Sequence, residues 1–297
     1  MSASVLFDTP GPKAKQRILV INIVGVLLIA GLLYMVISGL AAKGQMEGSL
    51  WASLFTSNAW VNFLLPGLAN TLKAAGLGIV LSVTFGLAFG MGLLAEIKAL
   101  RWFSTIVVEF FRSVPVLLMI VFFNILLART GVVNGTDAPF WAVVISLMLY
   151  NGSVVAELVR SGVRNLPKGQ REAGIAIGLT TNQSLRLIEI PQALVAMLPA
   201  LIGQFVVILK DSALGYIVGF TELLFYSRTF AAANGNMLQA LLLAAAIFIV
   251  INFGLGKLAE IVSRRLSSRM PNAGGANPAT DIEAPIAPTV APMDPAK

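Results

Sequence analysis

The chain has no cysteine and no histidine. The first absence excludes a disulfide framework and any thiolate metal site, and it leaves the redox compartment undecided. The second excludes triads and metal sites built on imidazole. Charge is scarce too: Asp, Glu, Lys and Arg make up 12% of the 297 residues, about half the share usual in a soluble domain. There is no G-x-x-x-x-G-K-[ST] loop to cradle phosphates, so the chain is not expected to hydrolyse ATP. What it has instead is apolar bulk, at 57% of all residues. A soluble fold that apolar could not cover its surface with polar groups, so lipid is the natural solvent.

The apolar residues fall into long runs. The first span reads from Ile18 to Leu40; at about 1.5 Å per residue it would cover about 35 Å, enough for a hydrocarbon layer of roughly 30 Å. It is too long for a signal h-region and lacks a small-residue cleavage site, so it reads as a retained helix. Further spans are expected at about 70–95, 103–127, 139–159, 192–218 and 236–262. Between Arg228 and Lys257 no charged residue occurs, which a buried soluble helix of that length would rarely tolerate. Trp51 and Trp60 mark an outer segment over about 41–63 suited to the membrane interface. The stretch 271–297, rich in Pro and Ala with few large apolar groups, is expected to be disordered.

Lysine and arginine set the orientation. Lys13, Lys15 and Arg17 precede the first span, and Lys98 and Arg101 follow the second. Arg160, Arg164, Lys168, Arg171 and Arg186 follow the fourth, and Lys257, Arg264, Arg265 and Arg269 lie at the end of the last. The alternate loops hold only Lys43, Arg129 and Arg228. The positive-inside rule then puts both termini in the cytoplasm, with the long loop after the fourth span.

That loop carries the strongest motif. Residues 165–191 read NLPKGQREAGIAIGLTTNQSLRLIEIP. Pro167 suits a helix start, where its missing N–H costs nothing. Gly178 suits a left-handed helix end. Thr180 and Gln183 have capping-box spacing for a second short helix, and Pro191 marks the return to the membrane.

Here the chain resembles the permease subunits of ATP-binding-cassette importers of type I. Their EAA loop reads Glu-Ala-Ala, three residues, Gly, nine residues, Ile-x-Leu-Pro. Glu172, Ala173, Gly174, Gly178, Ile188, Ile190 and Pro191 match the spacing, with Gly174 in place of the second Ala and Ile190 in place of Leu. Ala156-Glu157-Leu158-Val159-Arg160-Ser161-Gly162, Phe111-Arg112-Ser113-Val114-Pro115 and Lys210-Asp211-Ser212-Ala213-Leu214 are similar to the polar amino-acid uptake branch, most of all to actinobacterial glutamate-uptake permeases. The shared stretch covers about 65–262. Met119 stands where many members of the branch carry Gln.

The resemblance implies an all-α integral membrane fold: a five-helix permease core at 65–262, one extra helix at 18–40, and a cytoplasmic coupling loop at 165–191. It implies import of a polar amino acid by alternating access. The partners would be separate ABC ATPase subunits docking on Glu172, Ala173, Gly174, Gly178 and Pro191, a second permease chain, identical or similar, and an extracytoplasmic amino-acid-binding protein. No cofactor is implied in this chain, ATP being used by the partner. A secondary transporter or channel is the rival class, and glutamine, cystine or a basic amino acid are rival cargoes.

Ionisable residues inside spans need a reason, because each costs roughly 2.5 to 3.5 kcal/mol at a helix centre. Glu109 and Arg112, and Glu157 and Arg160, are three apart and can pair along one helix face. Lys210 and Asp211 are adjacent and are each expected to find a partner on another helix. Arg112, Lys210 and Asp211 are candidates for a substrate path, against the plainer reading of structural braces or gate residues. Gly86 and Gly90, with Gly92, form a small-residue face suited to close helix packing. Pro115 should kink or start the third span.

Overall fold

The computed structural model describes residues 11–267; the expectation of a disordered segment at 271–297 falls outside them. Among the described residues the chain is helical throughout, with no strand. Five helices are long and apolar enough to cross a membrane, and a sharply bent pair makes a sixth crossing if taken as one span. The described residues divide into two compact units, 11–69 with 221–246, and 70–220 with 247–267.

The first unit begins with α1 (Pro12–Ala42), which opens on proline in its first turn. Its side chains are exposed almost throughout. The outer segment then folds as α2 (Gly48–Ala52), a 3₁₀ turn at Ser53–Phe55, α3 (Ser57–Ala59) and a π-helical turn at Trp60–Leu64. α4 (Leu65–Leu93) follows without a break, so the second span starts well before residue 70. Polar outer residues alone do not stop a helix that has no proline or glycine break before Pro66.

Leu54, Ala59, Phe230, Ala231 and Ala240 form this unit's core, under Trp51, Trp60 and Phe63. α12 (Leu223–Asn234) starts on Glu222, whose carboxylate accepts from the N–H groups of Leu224 at 2.8 Å and Phe225 at 2.6 Å. The start of α13 (Met237–Ser267) is tied to the outer segment by side-chain amides. Asn236 donates to Leu50 O and Ser53 Oγ, and Gln239 donates to Gln45 O.

The second unit is built round α7 (Ala138–Arg164), buried over most of its length. α5 (Lys98–Ser113) and α6 (Val116–Thr130) pack on it. They are the expected third span, but bent by 98° at Val114–Pro115. The proline has no N–H to continue the ladder, so Val114 closes the first helix on Phe110 O and Pro115 O receives the first N–H groups of the second.

α4 meets α7 through Gly86 and Gly90, and α5 through Gly92. A Cβ on Gly86 would sit 2.4 Å from Val155 Cγ1, one on Gly90 2.8 Å from Val159 Cβ, and one on Gly92 2.1 Å from Ser104 Oγ. The small-residue face therefore serves close packing, the use expected of it. The fifth span is also interrupted: α10 (Ile190–Ala196) ends at Met197, and α11 (Leu198–Asp211) restarts with Pro199 in its first turn. A 3₁₀ stretch, Ser212–Val218, completes it.

Candidate functional site: the coupling loop

Between α7 and α10 the chain makes two short helices. α8 (Lys168–Ala176) has Pro167 as its N-cap. Gly178 takes φ +88, the left-handed conformation that lets the chain reverse after the helix, and the N–H groups of Gly178 and Leu179 bond back to Ile175 O and Gly174 O. α9 (Thr181–Ser184) begins with a complete capping box: Thr180 Oγ1 accepts from Gln183 N–H, and the Gln183 side chain accepts from Thr180 N–H at 2.8 Å. A π-helical turn at Leu185–Glu189 leads into α10. Pro191 lies in the first turn of α10, so it belongs to the returning helix and not to the bend.

The motif residues divide by direction. Glu172 and Ala173 are exposed, and Gly174 is buried. A Cβ on Gly174 would lie 2.7 Å from Ser184 Oγ and 3.1 Å from Ile188 Cδ1. The glycine that departs from the Glu-Ala-Ala pattern is therefore the contact point where α8 closes on α9 and the π turn. Ser184 in turn donates to Glu189 Oε1 at 3.1 Å, both residues being buried. Gln192 Nε2 donates to Gln170 Oε1 at 3.0 Å and ties α8 to α10.

Sequence reasoning missed Glu189 and Ser184. The only signal was a carboxylate at the variable position of an apolar Ile-x-Ile-Pro run. It also missed the apolar character of the outer side: Ile177 is 75% exposed and Leu187 67%. The anchoring charge expected of Glu172 has no partner among the described residues. It is exposed to solvent.

The candidate path residues are less closely joined. Glu109 and Arg112 pair at 2.6 Å at the end of α5, immediately before the break in the third span. Glu157 and Arg160 pair near the end of α7. Lys210 and Asp211 end α11 and make no hydrogen bond or ion pair to another helix among the described residues, contrary to the expectation for them. Arg112, Lys210 and Asp211 do not pair with one another either. The surroundings of the two helix ends nonetheless meet, because Val116, Ile208 and Leu214 belong to one apolar cluster around Val143, Val144 and Leu147.

A further polar link was not anticipated. Gln204 on α11 donates from its amide to Asn151 Oδ1 on α7, while Asn151 Nδ2 is buried without a partner in the structure. Asparagine and glutamine are uncharged, and a search for membrane charges passes over them.

A pair of short helices at this motif spacing, set between helices of membrane-crossing length, defines the class. The family model for the binding-protein-dependent transport system inner membrane component matches residues 82–268, and the chain belongs to that family. Within it, the chain is 44% identical over 227 residues to the glutamate transport system permease protein GluD of Corynebacterium glutamicum, covering 76% of this chain and 83% of that one. It is 32% identical over 210 residues to a probable glutamine ABC transporter permease protein, GlnP of Bacillus subtilis, covering 70% and 93%. Among solved structures it superposes on an amino acid ABC transporter crystallised with histidines, with a TM-score of 0.63, 28% identity, and coverage of 69% of this chain and 95% of the other. The inward-facing MetNI methionine transporter, at 19% identity and a TM-score of 0.59, shares the fold. The chain is thus a multi-pass membrane permease component, as the EAA spacing indicated.

Proposed function

We propose that this chain is the permease of an ATP-driven importer for glutamate, moving it into the cell by alternating access. The observation that carries the coupling half is the α8–α9 pair: braced inside by Gly174, Ser184 and Glu189, and presenting Glu172, Ala173, Ile177 and Leu187 outward. Exposed large apolar groups beside an unpartnered carboxylate are the signature of a surface awaiting a protein. Its occupant is a separate ATPase subunit, whose nucleotide-driven closure would push on a short, rigid lever. Gly178 sets the bend of that lever and Pro191 the start of its return.

Glutamate as cargo rests on the 44% identity to the glutamate permease. The glutamine permease at 32% identity keeps glutamine as the second reading. The remaining partners are a second permease chain and an extracytoplasmic amino-acid-binding protein, with both termini cytoplasmic as the loop charges require. ATP is used by the partner, and this chain holds no cofactor. Arg112, Lys210 and Asp211, at the ends of α5 and α11, would lie along the substrate path, a reading supported by the apolar cluster that the neighbouring residues Val116, Ile208 and Leu214 share.

Two measurements test this. Glu172→Lys should weaken co-purification of the ATPase while the permease stays inserted; unchanged co-purification and transport would overturn the docking role. In vesicles holding the complete complex, uptake under a clamped ion gradient should require ATP. Unlabelled glutamate should compete better than aspartate or glutamine, and stronger competition by glutamine would reassign the cargo.

A further inference from the structure

A cavity of about 350 Å³ opens within the second unit where the ends of α4 and α7 meet the coupling loop. Arg101, Arg164, Lys168 and Arg171 are among its lining residues. None of the four is ion-paired among the described residues, whose ion pairs use other residues. The lining holds one carboxylate, Glu189, which is buried and accepts from Ser184. Four cations against one carboxylate leave an excess of positive charge turned into a single concavity. The four are solvent-exposed, and cations grouped round one concavity create a positive field that concentrates anions there.

The lining is also apolar in part. Leu93, Leu94 and Leu185 contribute to the same cavity. Its height along the bundle is fixed by the spans: Ser57–Leu93 ends at it, and so does Ala138–Arg164. The last residues of two spans mark the boundary between hydrocarbon and water. Arg101 also lines a neighbouring hollow with Trp102, an aromatic that is 70% exposed at the same level. Tryptophan is enriched at that depth.

We infer that this cavity binds a phosphate-bearing anion, and that its source is the headgroup of an anionic phospholipid. Guanidinium groups present forked donors that match phosphate oxygens two at a time, and three of the four cations are arginines. A free anion would need only the cations. The leucines in the same lining fit the start of an acyl chain, so the mixed lining selects a lipid over soluble phosphate. Basic pockets between helices at the cytoplasmic boundary are the general form of such sites. The bound headgroup would bridge α7 and α8, connecting the membrane to the base of the coupling loop.

Native mass spectrometry of the purified full-length chain tests this, with phosphatidylglycerol, phosphatidylcholine or inorganic phosphate added to the detergent. Phosphatidylglycerol should be retained, and the double variant Arg164→Gln, Arg171→Gln should lower its apparent affinity about thirtyfold, at roughly 1 kcal/mol per cation removed. The control Lys13→Gln, Lys43→Gln, which removes two charges elsewhere, should leave retention unchanged. The charge-preserving Arg164→Lys, Arg171→Lys should recover part of it, the forked donors being lost, which separates loss of the site from misfolding. Equal retention of phosphatidylcholine, or an equal loss in the control, would overturn the site. Displacement of the lipid by millimolar inorganic phosphate would overturn the lipid as its source.

Discussion

α1 and α7 are of similar length, 31 and 27 residues, and both are apolar enough to cross a membrane. The more apolar is the less packed. Mean hydropathy is 2.7 along α1, with none of that stretch buried, and 1.8 along α7, with 67% buried. Hydropathy reports the solvent a helix suits and says nothing of its neighbours. Lipid tails are as apolar as leucine, so burial among helices in a membrane is decided by shape and polar bonding. α7 has the shape: Gly152 receives Phe85, Gly162 receives Met197, and Val155 and Val159 fill the hollows at Gly86 and Gly90. The glycines of α1, at 25, 31 and 39, have nothing within 4 Å.

Substituting one glycine on each side would break or sharpen this contrast most. Gly86→Leu forces a side chain into Val155 and toward Gly152 O, which is backbone and cannot swing aside. The cost should be about 3 kcal/mol, read as a lower melting temperature of the detergent-solubilised chain. Gly31→Leu should stay within about 0.5 kcal/mol of the parent. Equal losses would mean that α1 packs on something with a face as tight as that of α7.

The next effect is in Glu222, between the fifth and last spans. Burial pushes its carboxyl up to about 7 from an ordinary value of 4.5, against the two N–H donors that favour the charged form. In the unfolded chain it ionises first. Folded stability is therefore full below about 4.5, falls as pH rises, and levels off above about 7. The fall should be about 3 kcal/mol, and Glu222→Gln should flatten that part of the melting-temperature profile. A slope unchanged in the variant would assign it to another group.

The coupling loop offers a smaller test of the same rule of shape. Gly174→Ala should cost about 1–2 kcal/mol by pressing on Ser184 and Ile188, and Ser184→Ala in the same chain should recover part of it. A substitution toward the family's Glu-Ala-Ala pattern is thus expected to harm this member. Full tolerance of the alanine would show that Ser184 moves freely and that α8 and α9 are not locked.

These residues also show what the sequence could reveal. The cap at Thr180, the left-handed Gly178 and the break at Pro115 are local events, fixed by a few neighbouring side chains, and all appear where the sequence places them. The bond from Ser184 to Glu189 depends on a π-helical turn between them, which no local pattern announces. The interruption at Met197 was missed although Pro199 follows it, because the apolar run continues across it. Lys210 and Asp211 were expected to find partners because charges in spans are costly. The structure instead leaves Lys210 exposed and Asp211 half-buried at a helix end.

The smallest expected effect lies in the link between Asn151 and Gln204, and it asks whether polar bonding adds to shape on the packed side of the contrast. One hydrogen bond joins the Gln204 amide on α11 to Asn151 Oδ1 on α7, and the side-chain NH2 of Asn151 is left without a partner in the structure. Hydrogen bonds between helices in membranes average about 0.6 kcal/mol, because the separated helices also find partners. A double-mutant cycle with Asn151→Leu and Gln204→Leu should return a coupling of about that size. Asn151→Leu alone should cost little more, since it also removes a buried donor that nothing satisfies. A coupling above about 2 kcal/mol would mean that polar bonding rivals glycine packing in holding α7, and the contrast with α1 would then rest on chemistry as much as on shape.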